Sequence, residues 1–167
     1  ITDGFHITRV LMDGGSSLNL LYHDTVCKMG IDPSKIKPTQ TTFKGVIPGV
    51  ESRCTGSINL EVFFGPPDNS RREELIFDIV PFRTSYHTLL GRTAFARFNE
   101  VPHYAYRKLK MPDLRGVITV NGKAELPLCA EEYTAALKTE ATSGIFQSNI
   151  ESTAKLPDTV KGVRTIS

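Results

Sequence analysis

In SINLEVFF, Ile58, Leu60, Val62 and Phe64 fall at every second position. Successive strand side chains point to opposite faces, so this stretch reads as a strand with one core face. The same texture recurs along the chain. HITRVLMD alternates apolar and polar residues and then runs apolar into Asp13, as a strand entering the core does. LIFDIVPF is nearly continuous in apolar residues and therefore belongs at the centre of a sheet. HYAYRKLKMPDLRGVITVNG reads as a two-stranded hairpin turning at PDLRG. GVIPGVESRCTG carries three glycines and a proline, which suits a long hairpin or loop, and GPPDNSRREE reads as a solvated turn. Helix is confined to short pieces. LNLLYHDTVCKMG passes from strand to a short helix ended by Gly30 and blocked by Pro33. A second short helix is expected from about Thr93 to Phe98. The chain is therefore expected to be mainly β.

At 167 residues the chain has room for one domain and a tail, with a core that needs no disulfide or metal. The folded part is expected over 1–122. After Gly122 the apolar residues become sparse and aperiodic, so 123–167 reads as a partly helical linker toward something downstream. The chain opens at Ile1 without a methionine, as a piece of a longer protein would. A formal charge of +2 gives no argument for nucleic acid or an anionic membrane as partner. Apolar runs are strand-sized, and no signal peptide is visible. Cys27, Cys54 and Cys129 are scattered and make no metal signature with the four histidines, so neither metal nor cofactor is expected. They fit a reducing compartment, and the expected setting is the cytoplasm.

The stretch VLMDGGSSLNLL, residues 10–21, can be read in several ways. Asp-Gly between apolar strands is a strong hairpin signal. A phosphate-cradling loop would need the G-x-x-x-x-G-K pattern, which is missing. A Ser-His-Asp triad would want a G-x-S-x-G elbow, and Ser16 does not sit in one; His6, His23, His87 and His103 read more simply as surface or strand-end residues. The remaining reading is a catalytic aspartate on a strand-to-loop corner, with glycines that let backbone pass close to a substrate.

LMDGGSSLNLL together with HTLLGRTAFARF resembles the retropepsin-like aspartic proteases, and a glycine-bearing hairpin near FKGVIPG lies between the two motifs. The order and spacing match over about residues 5–122. More narrowly, DGGSS, the YH-x-LLGR run and VPHYAYRKLKMP-x-x-x-GVITV are similar to the protease segment of plant gypsy-type LTR retrotransposon polyproteins. The resemblance implies a retropepsin-like closed β-barrel or sandwich half-lobe, with one short helix after LLGR, homodimeric when active. It implies Asp13 as the catalytic residue, with Gly14, Gly15 and Ser16 shaping its loop. Leu89, Leu90 and Gly91 would support that loop from behind, and Arg92 would join a salt-bridged dimer contact. Phe43, Gly45, Val46, Ile47 and Gly49 would form the flap.

The implied partners are a second copy of the chain and a polypeptide substrate, its own polyprotein, with virus-like particles as a natural setting. Two carboxylates about 3 Å apart share one proton, because both cannot ionise. One oxygen then acts as base toward a trapped water while the partner acid protonates the peptide carbonyl. This chain offers one suitable acid and no internal repeat. Asp158-Thr159 is followed by Val160 where the motif needs glycine. The dyad therefore requires a symmetric dimer. In the family the residue after the aspartate is usually Thr or Ser, whose hydroxyl bonds across the interface; Gly14 removes that bond, worth about 1 kcal/mol net. The resemblance implies that plant elements commonly carry DGG. A catalytically silent retropepsin-fold interaction domain is the alternative, and a small β binding domain of unrelated origin is a further one.

Overall fold

A computed structural model describes residues 4–44, 51–66, 68–81, 84–123 and 164–166. Strands dominate the described residues: β1 (Phe5–Ile7), β2 (Val10–Met12), β3 (Leu20–Tyr22), β4 (Thr42–Lys44), β5 (Glu51–Arg53), β6 (Gly56–Phe64), β7 (Arg71–Val80), β8 (Thr88–Leu90), β9 (Val101–His103), β10 (Lys108–Asp113), β11 (Gly116–Asn121) and β12 (Arg164–Ile166). Two short helices accompany them, α1 (His23–Met29) and α2 (Arg92–Phe98), with a 3-10 turn at Pro33–Lys35. The described strands form open sheets. Among the described residues, no helix is long and apolar enough to cross a membrane.

The central sheet runs β2-β8-β3-β7-β6. β6 and β7 form its long hairpin, in register from Gly56 opposite Ile79 to Phe64 opposite Arg71. Ile58, Leu60 and Val62 are buried and their polar neighbours are not, so the period-two pattern does set the core face. β7 is interior to the sheet, as its apolar run requires. It begins earlier than expected. Arg71–Glu74 was expected in the turn but belongs to the strand, leaving Gly65–Ser70 as the connection. The reason lies in Arg71, whose guanidinium bonds Glu73 and the carbonyls of Arg97, Phe98 and Pro112. Long-range partners thus draw a charged stretch into the ladder.

Both helices end as expected. Gly30 closes α1 in the left-handed region at φ 59°. Asn99 closes α2 with φ 48°. One core lies between the central sheet, both helices and the second sheet, centred on Leu21, Ile58, Phe77, Ile79, Leu90, Phe98 and Met111. Phe98 stacks edge-on against Phe64 with centroids 5.0 Å apart.

The second sheet has the order β11-β10-β9. The expected two-stranded hairpin is present, with Pro112 and Asp113 inside the strand and the turn at Leu114–Arg115. β9 adds a third strand beyond the expected hairpin. β4 and β5 pair as a separate hairpin. β12 pairs in parallel with β1. Apart from Lys123 and β12, the segment read as a tail lies outside the described residues.

Candidate active site

The apolar strands on either side of DGG do not pair with each other, because β8 lies between β2 and β3. Asp13-Gly14-Gly15 is therefore not a two-residue hairpin turn. It is the corner where the chain leaves β2, passes over the end of β8, and returns as β3. β2 runs parallel to β8, with Leu11 opposite Leu89 and Met12 opposite Leu90. The ladder continues one step further, as Asp13 N–H donates to the Leu90 carbonyl at 2.9 Å. Asp13 thus leaves the sheet from a fixed backbone position.

The loop then holds its own shape. Gly15 N–H donates to Asp13 Oδ1 at 2.8 Å, and Ser16 N–H donates to the Asp13 carbonyl at 3.2 Å. The Ser16 hydroxyl donates to the Leu18 carbonyl and accepts from Leu18 N–H, so it serves the loop backbone rather than the Asp13 carboxylate. Asp13 is half-buried and Gly15 is exposed. The other carboxylate oxygen carries none of these bonds.

Support from behind comes from Leu89-Leu90-Gly91. Leu89 and Leu90 are buried on opposite sides of the sheet. Gly91 touches the loop directly: a Cβ there would meet the carbonyl oxygens of Leu18 and Ser16, the latter at 2.7 Å. Only a residue without a side chain permits that approach. Arg92 N–H donates to the Ser16 carbonyl at 2.9 Å, while its side chain is exposed at the start of α2. The expected loop and support residues therefore come together. Of the expected flap residues, Phe43 lies on β4 opposite Ser52. Gly45, Val46, Ile47 and Gly49 lie outside the described residues.

Four further residues near the loop lie outside the expected site set. Asn19 is buried; its amide oxygen accepts from Gly91 N–H at 3.0 Å and its amide nitrogen donates to the Ile76 carbonyl at 3.0 Å. One side chain thereby ties the loop, β8 and β7 together. Tyr22 is buried and its phenol is pushed up to about 12 by burial, then by Tyr86 and Asp13, so it stays neutral at any working pH. Tyr104 Oη accepts from Gly14 N–H at 3.1 Å. His87 is a strand-end residue as expected, but it is buried rather than exposed. Its Nε2 faces the Arg9 guanidinium at 2.9 Å, and burial, Arg9 and Lys28 together push the ring down to about 4.

Leu20, Tyr22, Val80 and Leu89 cluster with Cys54, which follows β5 directly, so the β4–β5 hairpin is rooted on this face. The Cys54 thiol is pushed up to about 11 by burial and by Asp78, an inert group. Among the described residues no cluster of three or more His, Cys, Asp or Glu could hold a metal ion. No hydrogen bond or ion pair among them joins Asp13 to a second acid. A cleft of about 690 Å³ between the β1–β2 strands and the second sheet lies beside the Asp13 loop, and residues 13–16 do not line it.

No family model matches the chain, and no curated protein does. Among solved structures, the chain is similar to the retroviral protease-like domain of Ddi1 from Leishmania major, at 12% identity and a TM-score of 0.39. That match covers 66% of this chain and 81% of the other.

Proposed function

We propose that the protein is a retropepsin-like aspartic endopeptidase, working as a homodimer to which each copy contributes one Asp13. The observation that carries this reading is the brace around Asp13. The acid is fixed at a sheet corner by Leu90, and its loop is backed by Gly91 at a distance no side chain tolerates. A hairpin turn needs no such support, whereas a carboxylate that must meet a partner within a few tenths of an ångström does. One acid per chain then calls for two chains.

On this reading the two Asp13 carboxylates share a proton. One takes a proton from water as the water oxygen attacks the peptide carbonyl carbon; the other protonates the carbonyl oxygen. Collapse of the tetrahedral species breaks the C–N bond with proton transfer to the leaving amine. The β4–β5 hairpin would close over an extended substrate. The finer assignment, the protease region 1–122 of a plant gypsy-type LTR retrotransposon polyprotein acting in the cytoplasm on its own polyprotein, is supported by the DGGSS, YH-x-LLGR and VPHYAYRKLKMP motifs.

The test is self-processing. Wild type and Asp13→Asn are expressed with native flanking polyprotein across mildly acidic to neutral pH. Fragments from wild type alone, suppressed by an aspartic-protease inhibitor, are the expected outcome. Identical intact bands at concentrations where dimers form would leave a catalytically silent interaction domain instead.

A further inference from the structure

We propose that Tyr104 is a positioning residue for the Asp13 loop, and that position 14 is glycine in order to admit it. Gly14 has no positive φ, so its backbone would accept any residue. What a side chain would meet there is one atom: a Cβ on Gly14 would lie 2.9 Å from Tyr104 Oη, against 3.5 Å from the nearest atom of Phe95. The same oxygen accepts from Gly14 N–H at 3.1 Å, across a separation of 90 residues. Missing side chain and incoming hydroxyl are therefore complementary. The phenol places, within one copy, a hydroxyl beside the residue that follows the acid.

Tyr104 is 60% exposed, so burial does not hold it in place. The turn that carries it does. Arg107 N–H donates to the Tyr104 carbonyl at 3.0 Å, and Gly122 N–H donates to the Arg107 carbonyl at 2.6 Å. Tyr106 N–H donates to His103 Nδ1, and the His103 and Tyr106 rings stack with centroids 4.3 Å apart. The β9–β10 turn is thus braced at both ends and presents the phenol to the loop. Gly14 N–H, taken by Tyr104, and Gly15 N–H, taken by Asp13 Oδ1, are consecutive. Fixing the first anchors the Asp13–Gly14 peptide, one of the two peptide units that separate the Asp13 Cα from the N–H holding its carboxylate. The proposal rests on the peptidase reading for its catalytic consequence, although the loop contact stands without it.

The test compares wild type with Tyr104→Phe, which keeps the ring and removes the oxygen, and with Gly14→Ala, which pushes the phenol away. Amide hydrogen exchange is read at positions 14 and 15, with β7 amides as an internal control. Each variant is expected to speed exchange at these two positions by about three- to tenfold, the range one net hydrogen bond supports, with β7 unchanged. The double variant is expected to add nothing to either single one. In the cleavage assay Tyr104→Phe lowers kcat and leaves KM nearly unchanged. Unchanged exchange at Gly14 in Tyr104→Phe overturns the proposal whatever the activity. Faster exchange with unaltered kcat overturns the positioning role. Faster exchange in a protein whose wild type cleaves nothing supports the contact and refutes the peptidase reading alone.

Discussion

Glu100 is a buried acid with no job in the site, and replacing it should make the protein more stable at neutral pH. It is 6% exposed, and neither carboxylate oxygen has a hydrogen-bond partner among the described residues. Its backbone N–H donates to the Phe95 carbonyl, which places it at the C-terminal end of α2. Burial pushes the group from 4.5 up to about 7, against the pull of Arg71. Below 4.5 the acid is protonated in both folded and unfolded chains, and no penalty arises. As pH rises from 4.5 through 7 the unfolded chain ionises first, so folding is progressively disfavoured. At roughly 1.4 kcal/mol per pH unit, the full penalty above pH 7 is about 3 kcal/mol. Glu100→Gln keeps the shape and removes the charge. Urea titrations should show the variant within about 0.5 kcal/mol of wild type at pH 4 and about 2–3 kcal/mol more stable at pH 8. His87 works in the opposite sense. Its ring is pushed from 6.5 down to about 4, so its penalty is absent above 6.5 and grows as pH falls toward 4. In wild type the two slopes oppose each other between about 4.5 and 6.5 and the stability profile is nearly flat. In Glu100→Gln the His87 slope stands alone, and stability should rise with pH across that window. Equal stabilities of the two proteins at pH 8, or a variant less stable there, would refute the reasoning.

Two substitutions probe the brace. Asn19→Ala leaves Gly91 N–H and the Ile76 carbonyl without their buried partner, and thermal unfolding should report a loss of about 2–4 kcal/mol. Gly91→Ala drives a Cβ into two backbone carbonyls that cannot swing aside, so a loss of about 1–3 kcal/mol is expected in urea. Cleavage by Gly91→Ala should fall further than its residual folded fraction accounts for, because the loop under Asp13 is displaced.

Local pattern carried the sequence reading a long way. The alternation in SINLEVFF, the glycine ending α1 and the helix after Gly91 are properties of a few neighbouring residues, and each is found where the pattern puts it. Asp13, Leu89, Leu90 and Gly91 were legible as two separated motifs. That β8 lies between β2 and β3 was not, since strand order is decided by packing and not by either segment alone. The same holds for the polar braces. Asn19 reaches Gly91 across 72 residues, and Tyr104 reaches Gly14 across 90. Nothing in SSLNLL or VPHYAY distinguishes these side chains from solvated ones. Arg71 looks like a turn residue for the same reason, because its partners Arg97, Phe98 and Pro112 are all distant in the chain.

The central claim, one site built from two copies of Asp13, is tested most directly by mixing. Wild type at fixed concentration is combined with increasing Asp13→Asn, and cleavage of a separate polyprotein substrate is followed. Random pairing with inactive mixed dimers predicts that cleavage falls to about half at equal amounts and about one tenth at ninefold excess. Cleavage that stays constant while mixed dimers are shown to form would mean that each copy acts alone, and would contradict the shared site.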